Sequence, residues 1–144
     1  MTDLDAEQYF HQKIPITRSM GVRVITHDDN QFVVEAPVSL NSNHLGTGFG
    51  GSINAVATLA AYGLLWLALR EHAVHVVVAQ STIRFLRPVR ETIRAVCRRP
   101  DREEWSRFHA RFAEAGKARI TLRAEVVEAE QTAAEFEGIF VARR

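Results

Sequence analysis

The stretch with the clearest chemical potential is residues 41–52, which read Asn-Ser-Asn-His-Leu-Gly-Thr-Gly-Phe-Gly-Gly-Ser and run directly into an apolar segment. Glycines at positions 46, 48, 50 and 51 let the backbone approach a ligand closely. If a helix begins after them, its first N–H groups lack intrahelical partners and carry partial positive charge. Such donors suit an oxyanion that develops on a carbonyl oxygen, so this loop is the first candidate site.

Carboxylates are missing from this part of the chain. The 144 residues include 18 Lys and Arg against 17 Asp and Glu, so the formal net charge is only +1. No acid occurs within residues 36–70, and Glu71 is the only acid within residues 36–90. The glycines also lack the order and the lysine of a phosphate-binding loop. A mechanism that needs a local Asp or Glu, or a metal ion with hard ligands, has almost no candidates here.

The overall composition narrows the class of protein. A near-zero net charge argues against binding of nucleic acid through phosphate contacts. A single cysteine, Cys97, excludes an intramolecular disulfide and suits a reducing cytoplasm, and the acidic N-terminus does not resemble a secretory signal. The apolar run at residues 55–69 is shorter than the roughly 20 residues that span a bilayer and predicts a buried helix. We therefore expect a cytoplasmic protein with no membrane, metal or cofactor partner.

The remaining pattern predicts the elements that hold this loop. Residues 101–115 fit a helix that begins at Asp101 and ends before Gly116, with a bulged strand as the alternative. The other expected elements are a helix at 3–13, a hairpin of 21–27 and 31–36, a loop at 37–51, a helix at 51–70, and strands at 75–86, 92–98, 119–128 and 136–142.

Strands that follow one another after a single long helix indicate an α+β domain with an antiparallel sheet. A helix that is apolar on almost every side is best covered by a sheet that curls around it. No repeat or linker divides the chain, so one domain over residues 1–144 is expected.

Several motifs resemble those of hotdog-fold acyl-thioester enzymes, whose curled antiparallel sheet wraps one long helix. The superfamily signature is matched by Asn43-x-x-Gly46-Thr47-x-x-Gly50-Gly51 before an apolar helix. Ile14-Pro15, Met20-Gly21-Val22 and the run Ser-Thr-Ile-Arg-Phe-Leu-Arg-Pro-Val at 81–89 further resemble the YiiD C-terminal thioesterase-like group, which includes malonyl-ACP decarboxylases. The resemblance implies acyl-thioester substrates on acyl carrier protein (ACP) or CoA, and a homodimer whose sites are made by two subunits.

The chain departs from the ordinary hotdog thioesterase at two positions. Those enzymes open the helix with His-Gly-Gly and carry an acid nine residues beyond the histidine; here the triplet is Phe49-Gly50-Gly51, and Thr58 holds the acid's place. Hydrolysis needs an activated water. Decarboxylation mainly needs a stabilised enolate and a desolvated carboxylate. The preferred reaction is therefore malonyl-ACP or malonyl-CoA to the acetyl thioester, with thioester hydrolysis and a non-catalytic acyl-binding subunit as alternatives.

The preferred reaction assigns roles to individual residues, and the resemblance implies the role of Gly50. The N–H of Gly50 would hold the thioester oxygen, and the amide of Asn43 would donate to the enolate or the carboxylate. Thr58, with Asn54 one turn earlier, would orient the malonyl group. The alternatives are an Asx turn at Asn43 and a hydroxyl of Thr58 bonded within its own helix. Further expected substrate contacts are His44, Thr47, Gly51, Gln80, Ser81, Thr82, Arg84 and Arg87, although the arginines also fit solvated surface charge.

Overall fold

The computed structural model describes residues 2–70 and 73–144, so Glu71 lies outside the described part of the chain. The order of helices and strands agrees with the sequence pattern, and a short helix and a single-turn 3-10 helix are additional. The elements are α1 (Asp3–Lys13), α2 (Ile16–Ser19), β1 (Arg23–His27), β2 (Gln31–Pro37), the 3-10 helix (Val38–Leu40), α3 (Gly50–Ala68), β3 (His75–Phe85), β4 (Thr92–Arg98), α4 (Arg102–Ala115), β5 (Lys117–Glu128) and β6 (Gln131–Arg143).

The six strands form one antiparallel sheet in the order β1-β2-β4-β5-β6-β3. Helix α3 contacts β2, β3, β4, β5 and β6, because the sheet curls around it. This arrangement confirms the predicted α+β fold with a sheet wrapped around one long helix. The sheet leaves β1 and β3 as its two edge strands.

Helix α3 is the core helix that the apolar run predicted. By length and composition alone its 19 residues would be long and apolar enough to cross a membrane. Ten of those residues, however, are buried in the fold. The approach to β2 is close, because a Cβ on Gly63 would lie 2.4 Å from the ring of Phe32. A glycine is therefore required where α3 crosses that strand.

Residues 102–115 form helix α4, which confirms the predicted helix and excludes the bulged strand. The Asp101 side chain accepts a hydrogen bond from the backbone N–H of Glu104 at 2.8 Å, and Gly116 ends the helix with a φ of +71°. Strand β4 pairs with β5 only near Ala95–Cys97, and α4 packs beside β5. Phe108 and Phe112 of α4 are buried there.

The start of β6 differs most from the expected bounds. Strand β6 begins at Gln131 and not at 136, because it pairs with β5 from Lys117↔Arg143 to Glu128↔Gln131. The connecting residues Ala129 and Glu130 both have positive φ, although neither residue type is typical of such a turn. Strand β3 ends at Phe85, so the segment 86–90 is not part of a strand.

Candidate active site

The loop that precedes α3 is folded around the side chain of Asn43. Its Oδ1 accepts hydrogen bonds from the backbone N–H groups of Leu45 (2.9 Å) and Thr47 (3.1 Å). Its Nδ2 donates to the Thr47 hydroxyl at 3.0 Å and to the Gly48 carbonyl at 3.4 Å. The turn is completed by Gly46, whose φ is +78°. Asn43 therefore closes the loop, as the Asx-turn alternative expected.

A second asparagine fixes where this loop starts. The buried Asn41 donates through Nδ2 to the carbonyls of Met20 and Pro37, at 2.8 Å each. Its own carbonyl accepts from the backbone N–H of Phe49 at 2.8 Å. These bonds hold the loop between α2 and the start of α3. Nothing in the sequence distinguishes this structural asparagine from the neighbouring Asn43.

Helix α3 begins without a side-chain cap. Its N-cap residue is Phe49, whose side chain makes no capping hydrogen bond. The first-turn N–H groups of a helix have no intrahelical acceptors. Gly50, the first residue of α3, lines a cavity of about 350 Å³ that we call the loop cavity. Its lining is Asn43, Thr47, Gly48, Gly50, Ile53, Phe85, Leu86, Arg87 and Pro88.

Thr58 lies in a different cavity, of about 390 Å³, which we call the apolar cavity. It opens beside the edge strand β3, where Val77 and Val78 are 58% and 41% exposed. Its lining is Ile14, Ile16, Thr17, Met20, Ala55, Thr58, Leu59, Tyr62, Val76, Val77, Val78 and Phe140. A single chain therefore does not bring Asn43 and Gly50 into one cavity with Thr58.

Polar groups beside the apolar cavity are mostly satisfied within the chain. The Thr58 hydroxyl donates to the Asn54 carbonyl at 2.8 Å, which is the helix-internal alternative. The Tyr62 hydroxyl lies 3.1 Å from that of Tyr9. Burial is the main cause that raises the pKa of Tyr62, and the hydrogen bond with Tyr9 raises it further. Asn54 is the exception, since its buried Oδ1 has no hydrogen-bond partner among the described residues.

The other expected contact residues are divided between the loop and the sheet. His44 and Gly51 are exposed, as are Gln80 and Ser81 on β3. Thr82 and Arg84 line a hollow on the outer face of the sheet, where Arg84 lies 3.7 Å from Glu135. Arg87 lines the loop cavity and donates to the Thr132 carbonyl at 3.3 Å.

A carboxylate outside the cavities holds the segment that follows Arg87. The two oxygens of Glu128 accept from the backbone N–H groups of Arg90 (2.8 Å), Glu91 (2.9 Å) and Thr92 (3.2 Å). Burial alone would raise the pKa of Glu128, but these backbone hydrogen bonds outweigh it and lower that pKa. Glu128 is a support for the rim of the loop cavity.

The cavity linings also contain residues that the sequence analysis did not assign to the site. Phe85, Leu86 and Pro88 close the loop cavity, and Tyr62 lies one turn beyond Thr58 in the apolar cavity. The i, i+4 spacing of Thr58 and Tyr62 was the available signal. Cys97 is no nucleophile, because burial raises the pKa of its thiol to about 12.

Comparison with known proteins identifies a matching family and several similar solved structures. A family model described as "Putative thioesterase (yiiD_Cterm)" matches residues 4–144. A solved protein of unknown function from Chlorobaculum tepidum TLS is 30% identical, with a TM-score of 0.91, over 99% of this chain and 94% of that one. A "putative thioesterase" from Shewanella oneidensis is 28% identical, with a TM-score of 0.86, over 99% and 97% of the two chains. A Pseudomonas aeruginosa protein of unknown function, called a "probable thioesterase", shares the fold at 23% identity, with a TM-score of 0.86, over 99% and 96%.

Proposed function

This chain belongs to the YiiD C-terminal thioesterase family, a group of hotdog-fold proteins that process acyl thioesters, and we propose that it decarboxylates a malonyl thioester to the acetyl thioester. The observation that carries the proposal is the charge in the loop cavity. Among the described residues, neither cavity is lined by an Asp or Glu, and Arg87 lines the loop cavity. A negative malonyl carboxylate is attracted there, whereas the general base of an ordinary thioesterase is missing.

The proposed chemistry needs donors for an oxyanion and no protein base. The bond between the carboxyl carbon and the α-carbon breaks, carbon dioxide leaves, and the electron pair forms the thioester enolate. The uncapped first turn of α3 at Gly50 supplies N–H donors for the enolate oxygen. Water then protonates the α-carbon, which completes the acetyl group, and the hydroxide that this leaves is neutralised by the solvent.

Asn43 can add a second donor without dismantling its loop. Its Nδ2 contact with the Gly48 carbonyl is 3.4 Å, longer than the usual 2.7–3.2 Å of a hydrogen bond. That N–H is therefore only weakly engaged and remains available to a substrate oxygen, while the two bonds to Oδ1 keep the turn closed. The role in the loop and the role in the reaction are therefore compatible.

We further propose that the working enzyme is a homodimer paired through β3. A two-fold axis pairs such an edge strand with its own copy. Strand β3 is an edge strand with exposed valines, a feature that invites pairing with another chain. A dimer of this kind would place the apolar cavity of the second subunit, which Thr58 lines, near the loop cavity of the first. Asn54, one helical turn before Thr58, would approach it too, and among the described residues its Oδ1 has no hydrogen-bond partner. In that site Asn54 Oδ1 accepts a donor such as a carrier amide and does not contact the malonyl carboxylate.

Hydrolysis of a longer acyl thioester is the second candidate, because one observation favours it. The apolar cavity of about 390 Å³ is lined almost entirely by hydrocarbon, which suits an acyl chain better than a malonyl group. Without a base, the same cavity would make the protein an acyl-binding subunit with no activity. The buried free thiol of Cys97 is compatible with a reducing cytoplasm for either function.

One assay distinguishes the three functions. Purified protein is incubated with malonyl-ACP, malonyl-CoA and a panel of acyl-CoAs, and free thiol and acetyl thioester are followed separately. Decarboxylation predicts acetyl thioester without free thiol. Free thiol without acetyl thioester would show hydrolysis, and no turnover of any substrate would leave the binding subunit. Arg87→Met is expected to raise the KM for malonyl substrates about tenfold or more, because it removes the cation while keeping much of the side chain.

A further inference from the structure

Five cations form a continuous basic surface at one end of the sheet. Lys117 on β5 lies directly opposite Arg143 on β6. A hollow of about 670 Å³ contains both of them together with Arg119, and a second hollow of about 620 Å³ contains Arg119 together with Arg107 and Arg111 of α4. Because the two hollows share Arg119, these five residues form one patch, which we call the basic surface.

The other half of the same sheet face is neutralised by ion pairs. Arg84, Arg98 and Arg123 pair with Glu135, Glu125 and Glu137, at 3.7, 2.7 and 2.9 Å. In contrast, no cation of the basic surface lies within 4 Å of a carboxylate of residues 2–70 or 73–144.

Intramolecular stability does not account for this arrangement. Like charges directly opposite each other on neighbouring strands destabilise a sheet, and Lys117 faces Arg143. Glu104 is the one carboxylate among the described residues that line the two hollows. Arg144 also lines one of the hollows but is engaged differently, since it stacks on Phe112 and donates to two carbonyls of α4. An external anion would compensate the five cations of the basic surface.

We propose that the basic surface docks an acidic acyl carrier protein that presents the thioester, an inference that rests on the proposed function. The cations are spread over a helix and two strands, with Arg107 and Arg111 one helical turn apart. The phosphates of one CoA would cover only part of such an array. An acidic protein surface with several carboxylates matches all five cations and gains from their long-range attraction.

The position of the basic surface indicates which loop cavity it serves. His75, at the start of β3, lines one hollow, whereas Phe85, at the end of β3, lines the loop cavity. Ten residue steps of a strand separate them by about 33 Å. In the proposed dimer the two β3 strands run antiparallel, so the start of one lies beside the end of the other. The basic surface of one subunit is therefore close to the loop cavity of the partner subunit.

Direct binding tests the docking without relying on turnover. The labelled holo form of an acidic acyl carrier protein is titrated with the wild-type enzyme and with Arg119→Glu/Arg143→Glu, and fluorescence anisotropy gives Kd. The double variant is expected to weaken carrier binding by about tenfold or more, with no change in the affinity for CoA. The control Arg99→Glu/Arg102→Glu makes the same change in net charge at the other end of α4 and is expected to leave Kd unchanged.

The outcomes separate the docking surface from the alternatives. Unchanged carrier affinity in Arg119→Glu/Arg143→Glu would overturn the proposal. An equal loss of CoA affinity would also overturn it, because the surface would then bind the nucleotide. Equal weakening by both double variants would show only an effect of net charge. Specific loss of carrier binding would support docking even if the bound malonyl-ACP were not decarboxylated, which would refute the proposed reaction alone.

Mixed dimers test the crossing between subunits. Differently tagged subunits are co-purified, one carrying Arg119→Glu/Arg143→Glu and the other carrying Asn43→Asp. The first subunit then has an intact Asn43 and the second an intact basic surface. If each basic surface delivers the carrier to the partner's loop cavity, this one combination is active, and about half of the wild-type rate per dimer is expected. A rate as low as that of either variant homodimer would show that each surface serves its own subunit.

Discussion

Replacing Asn43 with Asp separates the two roles of this side chain. Asp retains an Oδ1 that can accept the backbone N–H groups of Leu45 and Thr47, at 2.9 and 3.1 Å in the wild type. Asx turns accept Asp as readily as Asn. The substitution removes the Nδ2 donor and places a negative charge in the loop cavity. The loop should therefore persist, while the donor proposed for the enolate is lost.

The structure sets the size of both effects. The lost bonds are one of ordinary length to Thr47 (3.0 Å) and one long contact to Gly48 (3.4 Å), and the Thr47 hydroxyl can still donate to the carboxylate. We expect a loss of about 1 kcal/mol in the free energy of unfolding. Loss of one oxyanion donor typically lowers kcat by about 10²–10³, and repulsion of the malonyl carboxylate adds to this.

Two measurements check this prediction. Urea unfolding followed by circular dichroism gives the stability of Asn43→Asp, and acetyl-thioester formation from malonyl-ACP gives its kcat. A folded variant with turnover reduced by about a hundredfold or more is expected. Turnover within a few-fold of wild type would refute the donor role. Asn43→Ala is the matched comparison, because it removes the turn acceptor as well and should cost more stability.

The remaining predictions concern packing, pH and assembly. Gly63→Ala should lower the free energy of unfolding by about 1–3 kcal/mol despite better helix propensity, because the new Cβ would lie 2.4 Å from the Phe32 ring. Adding Phe32→Leu should restore part of this loss. A Gly63→Ala variant more stable than wild type in urea unfolding would contradict the prediction. Glu128→Gln should cost about 1 kcal/mol at neutral pH, after allowance for solvent screening. Hydrogen bonds lower the pKa of Glu128 in the fold, so its contribution to the free energy of unfolding is present above about pH 4.5 and is lost as pH falls through the lowered pKa. A stability difference between Glu128→Gln and wild type that stayed constant in acid would contradict this. Val78→Lys should give monomers in analytical ultracentrifugation, and an unchanged dimer would exclude pairing through β3.

The fold was largely predictable from sequence because the strongest signals were local. The apolar run of α3 had one stable location, inside the sheet, and α4 carried both its cap and its terminating glycine. The turn between β5 and β6 was not predictable, because Ala129 and Glu130 adopt positive φ only where the long pairing of the two strands requires it. Helix α2 is a four-residue turn with no periodicity to detect.

The sequence predicted several of the residues that line the loop cavity, but not how the candidate residues are divided between cavities. The sequence identified the loop and its lack of acids, and Asn43, Thr47, Gly50 and Arg87 do line one cavity. It could not show that Thr58 lies in a separate cavity, because that depends on how β3 and α2 pack against α3. Nor could it show that Arg84 and Arg87 separate: Arg84 lies on β3 and stays on the outer face of the sheet, whereas Arg87 lies beyond the end of β3 at Phe85 and lines the loop cavity.

The central claim is a decarboxylation through an enolate that takes its proton from water. The most direct test is to convert malonyl-ACP in deuterated water and to measure the intact carrier by mass spectrometry. We predict a carrier that loses carbon dioxide, keeps its thioester and gains solvent deuterium on the acetyl group. Release of the unacylated carrier thiol, with no acetyl-ACP formed, would contradict the account.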